Sequence, residues 1–284
     1  MQLRKNVTSV IEWGTLLLST SLVCFFLLVI LYEICSKGSA VISWEFVSSL
    51  PKEGMTRGGI LTPIVGTVLL TLLTALFAIP FGVCCAIYLQ EYAKSSWLTR
   101  LIRASIRNLS GVPSIIYGLF GLALFVQGLQ FGTSLLAAGL TLGLLSLPYI
   151  ITTTEEALLR IPNSMREAAL AVGATKFETI KDIVLPSSMS GILTGVVLTL
   201  SRAAGETAPI LFTGAAFYIN QTSLSVNQEF MALPYHLYML STQHQSIDEV
   251  RPIAYGTALV LIVVVFFLNL TAFIIRYKYR QHDK

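Results

Sequence analysis

The sequence predicts an all-α polytopic membrane protein with six transmembrane helices, and three observations carry that prediction. Of its 284 residues, 54% are hydrophobic and only 12% charged, with a mean hydropathy of +0.73, a balance foreign to soluble domains. Six apolar runs approach or exceed the ~20 residues that cross ~30 Å of hydrocarbon; they fall at about 15–32, 64–89, 112–129, 134–153, 191–212 and 253–275. The cations alternate between connections. Arg4 and Lys5 precede the first run, Lys94, Arg100, Arg103 and Arg107 follow the second, Arg160, Arg166, Lys176 and Lys181 follow the fourth, and Arg276, Lys278, Arg280 and Lys284 follow the sixth. The other connections hold only Lys37, Lys52, Arg57 and Arg251, so the positive-inside rule places both termini and the fourth connection in the cytoplasm.

This distribution explains the net charge of +4 by membrane topology, and no nucleic-acid partner is expected. Cys24, Cys35, Cys84 and Cys85 lack metal-site spacing and read as small hydrophobes, so no metal site is expected. With no convincing repeat or flexible linker, residues 1–284 read as a single transmembrane domain.

The first run follows Arg4 and Lys5, as a signal peptide would. It is longer than a usual signal core and no Ala-x-Ala site follows, so it reads as a retained span at about 15–32. The remaining spans form a core at about 64–275. Trp44 and Phe46 in the first outer connection suit a seat at the membrane interface. Beyond Gln90-Glu91-Tyr92, Arg100, Arg103 and Arg107 share one helical face opposite Leu101, Ile102 and Ile106, which predicts an amphipathic helix lying on anionic headgroups.

Gly111-Val112-Pro113 opens the third run with breaks that lipid-facing helices avoid and that neighbouring helices or a cavity tolerate. Gly139–Gly143 and Gly191–Gly195 have the GxxxG spacing that permits close helix contact. The fourth connection, about 155–190, is too charged for lipid because of Glu167, Lys176, Glu178, Lys181 and Asp182. Its Ala-rich stretch 165–172, Gly173 and the run 174–184 predict helix, tight turn and a second helix that Pro186 limits. Ala168, Ala169 and Ala171 give it a narrow profile that a groove on another protein could accept.

The fifth run carries Arg202 and Glu206, four apart and therefore on one helical face. Counted from Gly191 at 1.5 Å per residue, Arg202 lies roughly 16 Å deep, near the midplane. Either the pair is a structural ion pair fixing helix packing, or it lines a path for a substrate. Gly205 and Pro209 around it suit an irregular helix, and a planar guanidinium suits an oxyanion. Near neutral pH phosphate retains a proton that Glu206 could accept in a hydrogen bond, whereas sulfate has none. The last outer connection holds His236 and His244, read as surface or satisfied residues, the sequon Asn220-Gln221-Thr222, and an apolar stretch 231–238 suited to tucking under headgroups or docking a soluble partner.

Glu167-Ala168-Ala169, then Gly173, then Ile183-Val184-Leu185-Pro186 resembles the EAA loop of ABC importer permeases. The stretches 111–121, 153–158 and 201–209, the last including Arg202, Glu206 and Thr207, are similar to the PstA-type permeases of bacterial phosphate ABC importers. The resemblance covers most of residues 60–275. It implies a type I ABC importer permease fold in the bacterial inner membrane, with phosphate as cargo and sulfate, molybdate or phosphonate as rivals. It implies that the loop forms a coupling helix docking on cytoplasmic ATPase subunits, a homologous PstC-type second permease and an extracytoplasmic phosphate-binding protein. The chain lacks a Gly-x4-Gly-Lys-Ser/Thr cradle, so ATP and Mg are expected on the partner ATPase and no cofactor on this chain. An ion-coupled secondary transporter would not need the loop, and a membrane-embedded enzyme would need a nucleophile with its base, which Ser201 lacks.

Overall fold

The computed structural model describes residues 2–219 and 225–280. The Asn220-Gln221-Thr222 sequon and Lys284 lie outside them, as do the side chains of Arg4, Lys5, Arg276, Lys278 and Arg280. The chain is helical, and its one sheet among the described residues is the two-residue hairpin of β1 (Pro51–Lys52) and β2 (Arg57–Gly58). In order, the helices are α1 (Gln2–Ser39), α2 (Trp44–Ser48), α3 (Leu61–Ile87), α4 (Trp97–Leu109), α5 (Ser114–Gly121), α6 (Leu135–Leu159), α7 (Asn163–Ala171), α8 (Lys176–Glu178), α9 (Leu185–Ala204), α10 (Ala208–Leu211), α11 (Leu233–Thr242) and α12 (Ile247–Arg280).

Among the described residues, five helical segments are long and apolar enough to span: Trp13–Ser39, Leu61–Tyr92, Leu135–Leu159, Lys176–Ala204 and Ile247–Thr271. The sixth expected crossing corresponds to the pair Trp97–Leu109 and Ser114–Gly128, whose arms meet at 103°. The first arm is the amphipathic stretch and the second is the apolar run. Arg103 leaves the cationic face expected for it and turns inward, its Nη2 donating to Leu89 O at 2.6 Å and its Nε lying 3.3 Å from Glu155. A carboxylate at the end of α6 needs a countercharge, and Arg103 is the guanidinium within reach.

The core centres on α3 and α6. Leu70 of α3 packs with Leu135, Ala138, Leu142 and Leu145 of α6, joined by Tyr117, Ile210, Phe230 and Tyr235. The two GxxxG spacings sit on helix interfaces. Gly139 and Gly143 receive Leu73 and Phe77 of α3, and Gly191 and Gly195 receive Ala157 and Thr153 of α6. A Cβ at Gly139 would lie 2.6 Å from Leu73, so the small residues set how closely the helices approach. Several threonines within the spans bond their own helix. Thr71, Thr141 and Thr199 each donate to the carbonyl one turn earlier, which removes an unpaired hydroxyl from an apolar setting.

Two expectations for the fifth run are corrected. The helix does not extend from 191 to 212 but runs from Lys176 to Ala204 and breaks at Gly205. Nor does Pro186 limit the loop's second helix. Residues Thr179–Val184 form a π turn, and Leu185 N bonds Ile180 O, so the helix widens before the proline. Pro186 directly follows that wide turn at the start of α9, and the helix runs on through it.

The stretch 231–238, expected to tuck under headgroups or dock a partner, is instead interior packing over 231–236, with Tyr238 exposed. Met231 and Leu240 pack with Met55, Val250 and Ala254, and Leu233 N donates to Thr67 Oγ1 at 2.8 Å. His244 is satisfied as expected, with Nε2 2.9 Å from Gly54 O and Nδ1 accepting from Ser246 N. His236 departs from expectation, being buried with neither ring nitrogen partnered within the protein. Burial first, and then the neighbouring His244, push its pKa down to about 4.

The unfolded chain therefore binds more protons than the folded one between pH 6.5 and about 4. Stability from the neutral ring is complete above 6.5 and is lost as pH falls towards 4, by about 3 kcal/mol in all. His236→Leu is expected to remove that component, so its unfolding midpoint in detergent should fall less between pH 7 and 4 than the wild type's. Equal falls in the two proteins would rule out the assignment.

Candidate functional site

Two regions carry the charged and polar features expected to do work: the loop between α6 and α9, and the break at the far end of α9. The loop folds as helix, turn and helix. α7 ends in a turn where Gly173 takes φ +92°, a conformation other residues rarely adopt, and Gly173 N and Ala174 N bond back to Leu170 O and Ala169 O. The second helix starts with a capping box, Glu178 N donating to Thr175 Oγ1 and Thr175 N to Glu178 Oε2 at 2.7 Å.

Of the expected loop residues, Glu167, Ala168, Gly173 and Pro186 are exposed, Ile183 and Leu185 are half-buried, and Ala169 is buried. α7 packs on the π turn 179–184, whose Ile180 and Val184 are also buried. Ala168 and Ala171 remain on the surface, beside an apolar set that includes Leu170, Val172 at 86% exposure and Phe177 at 64%. That apolar area stands uncovered at the tip of an otherwise polar loop.

One residue ties this loop to the spans. Arg166 Nη2 and Nε meet the two carboxylate oxygens of Glu91 at 2.8 and 3.4 Å, while Nη1 and Nη2 donate to Ile161 O and Leu158 O at 2.6 and 3.0 Å. The side chains are only 16% and 8% exposed, so the pair is shielded from solvent. A single guanidinium thus caps the last carbonyls of α6 and joins α7 to the end of the second span. Lys176 adds a second link, its Nζ lying 5.0 Å from the centre of the Tyr92 ring.

At the other region, Arg202 lies in the last turn of α9 and its Nε is 3.3 Å from Glu206 Oε1. Its guanidinium stacks on Tyr149 of α6, 4.6 Å from the ring centre. Tyr149 is ~21 Å from Leu135 and ~15 Å from Leu159 along α6, so Arg202 stands near mid-helix whatever the start of α9. Tyr149 in turn donates its hydroxyl to Ser110 O in the elbow between α4 and α5. Arg202 is 51% exposed and Glu206 16%, so the pair is open on one side. Thr207 follows in the break, half-buried, and caps α10 without using its hydroxyl. The guanidinium is thus stacked on an aromatic face and fixed by a carboxylate, with its remaining donors on the open side.

Three partners in these regions were not found from the sequence. Glu91 and Tyr149 lie far along the chain from Arg166 and Arg202, and helix spacing reveals only neighbours on the same helix. Asn269, hydrogen-bonded to Ser201 across α9 and α12, did leave a signal as an amide inside the apolar run 253–275.

The chain matches the family described as "binding-protein-dependent transport system inner membrane component" over residues 78–281. It is 33% identical over 273 residues to the phosphate transport system permease protein PstA of Yersinia pestis, covering 96% of this chain and 90% of that protein. Against PstA 1 of Mycobacterium tuberculosis (strain ATCC 25618 / H37Rv) identity is 36% over 221 residues, 78% of this chain and 70% of that one. A probable ABC transporter permease, YqgI of Bacillus subtilis (strain 168), is 28% identical with 95% of each chain covered. Among solved structures, a bacterial alginate ABC transporter superposes with a TM-score of 0.68 at 17% identity, covering 92% of both chains. An inward-facing MetNI methionine ABC transporter gives 0.64 at 19%, covering 78% of this chain and 95% of that one. With the helical architecture, the coupling-loop pattern and the matched residues in agreement, the chain belongs to the family of binding-protein-dependent transport system inner membrane components.

Proposed function

We propose that this permease carries inorganic phosphate into the cell by alternating access, powered by ATP hydrolysed on partner subunits. The observation that carries the reading is Arg202, stacked on Tyr149 at mid-helix and held by Glu206 on one side while open on the other. Arg202 attracts the anion, and Glu206 accepts a hydrogen bond from the P–OH group that sulfate lacks. The relatives named as phosphate permeases support the same cargo. The relative named only as a probable ABC transporter permease is compatible with another oxyanion, and competition by sulfate, molybdate or phosphonate during uptake separates the two.

In this reading the whole chain acts as one permease domain with both termini in the cytoplasm. It works beside a homologous PstC-type subunit, receives phosphate from an extracytoplasmic binding protein, and rests on cytoplasmic ATPases that hold ATP and Mg. The exposed strip around Ala168, Val172 and Phe177 is the docking face for the ATPase. Its movement reaches the substrate path by two routes. The helix from Lys176 to Ala204 leads directly to Arg202, and the Arg166–Glu91 pair pulls the second span with it.

Two measurements test these roles in the assembled importer. Arg202→Gln is expected to lower phosphate uptake at least about tenfold, and Glu206→Gln to let sulfate compete; normal uptake and selectivity in both variants, with normal assembly, would overturn the assignment. Arg166→Gln and Glu91→Gln should each reduce uptake per ATP hydrolysed, and the double variant should do no worse than either alone. Additive losses would mean that the two residues act separately.

A further inference from the structure

Beyond Arg202, the interface of α6 and α9 opens into a groove of about 340 Å3 on the side that carries the coupling loop. Thr153, Glu156 and Arg160 line it from α6, and Ser190, Thr194 and Leu198 from α9. The spacing along α6 is regular. Tyr149, Thr153, Glu156 and Arg160 are separated by four, three and four residues, so they form one stripe on a helix. Leu198 stands one turn from Arg202 on α9, and the groove therefore continues the surface on which the Arg202–Tyr149 stack lies. Arg160 ends the stripe ~16 Å further along.

The chemistry of the groove is uneven. Thr153 and Thr194 donate their hydroxyl protons to Tyr149 O and Ser190 O, so towards the groove they present acceptors only. The groove's donors are Arg160 and the Ser190 hydroxyl. Arg160 and Glu156 are four apart on the stripe, yet they form no ion pair, and Arg160 has no carboxylate within 4.0 Å among the described residues. An exposed, unpaired guanidinium on one stripe with a carboxylate, and hydroxyl acceptors in the groove, sets a cationic donor near acceptors, as Arg202 and Glu206 do.

We infer that this groove is a second oxyanion station on the path, taking a protonated oxyanion such as phosphate between Arg160 and Glu156 before release. The inference rests on the phosphate reading above and adds a site at the exit. Arg160 supplies the countercharge, and Glu156 accepts the P–OH proton in a hydrogen bond, so a fully deprotonated oxyanion is disfavoured there as well. A ligand leaving Arg202 would then step about three helical turns down one face of α6 without crossing an apolar gap.

The test uses the full importer in proteoliposomes, with ATP inside, binding protein outside, and labelled phosphate uptake measured against unlabelled phosphate preloaded in the lumen. Lumenal phosphate is expected to slow wild-type uptake by occupying the exit station. Arg160→Gln should need about tenfold more lumenal phosphate for the same effect, and Arg160→Lys should recover part of the loss. Glu156→Gln should let lumenal sulfate inhibit as phosphate does, and it carries the test alone if Arg160→Gln fails to assemble. Wild-type uptake indifferent to lumenal phosphate, or equal sensitivity in wild type and Arg160→Gln, would overturn the station while leaving the cargo intact. In Glu156→Gln, an unchanged preference for phosphate over sulfate would overturn it too. A wild-type importer that takes up no phosphate would instead overturn the cargo.

Discussion

Hydrocarbon offers no partner to a charge or to a free backbone amide, and that constraint bears on every span of this chain. Many of the polar groups that remain inside are paired with neighbours, His236 being an exception. Span threonines bond their own helix, Arg103 finds Glu155, and Arg166 spends its donors on Glu91 and the end of α6. Beyond the break at Gly205, which is exposed, α10 packs on α5 and α6. Arg202 and Arg160, both exposed, belong to the surface where α6 meets α9.

Spans and loop were legible because each depends on composition over a short window. Hydropathy located the apolar runs, and a glycine between Ala-rich and capped helices is enough to predict the turn at Gly173. The limit of the fifth span was misread because Pro186 is a stop signal only in a helix of regular pitch. The π turn before it moves the hydrogen-bond register by one residue, and no composition rule records that shift. His236 was misread for a related reason. A histidine in a long outer connection suggests solvent, but Met231, Leu233 and Leu240 around it carry that connection into the core.

The site was legible in part. Arg202 and Glu206 stand out because ionisable residues are costly within a span, and their spacing gives the pair. What completes the arrangement comes from other helices. Ser201 reaches Asn269 across 68 residues and Arg166 reaches Glu91 across 75, and such pairings are fixed by the packing of α3, α6, α9 and α12. Nothing in the sequence around Tyr149 marks it as the partner of a guanidinium on another helix.

The N-terminal helix stands apart from this network. α1 packs chiefly on α12, held near its end by Lys37, Glu33 and Tyr255, and the family match begins only at residue 78. None of its spanning window is buried inside the chain. It is therefore an outrigger. It lies as a rod alongside the last span, which the Ser201–Asn269 hydrogen bond ties in turn to α9.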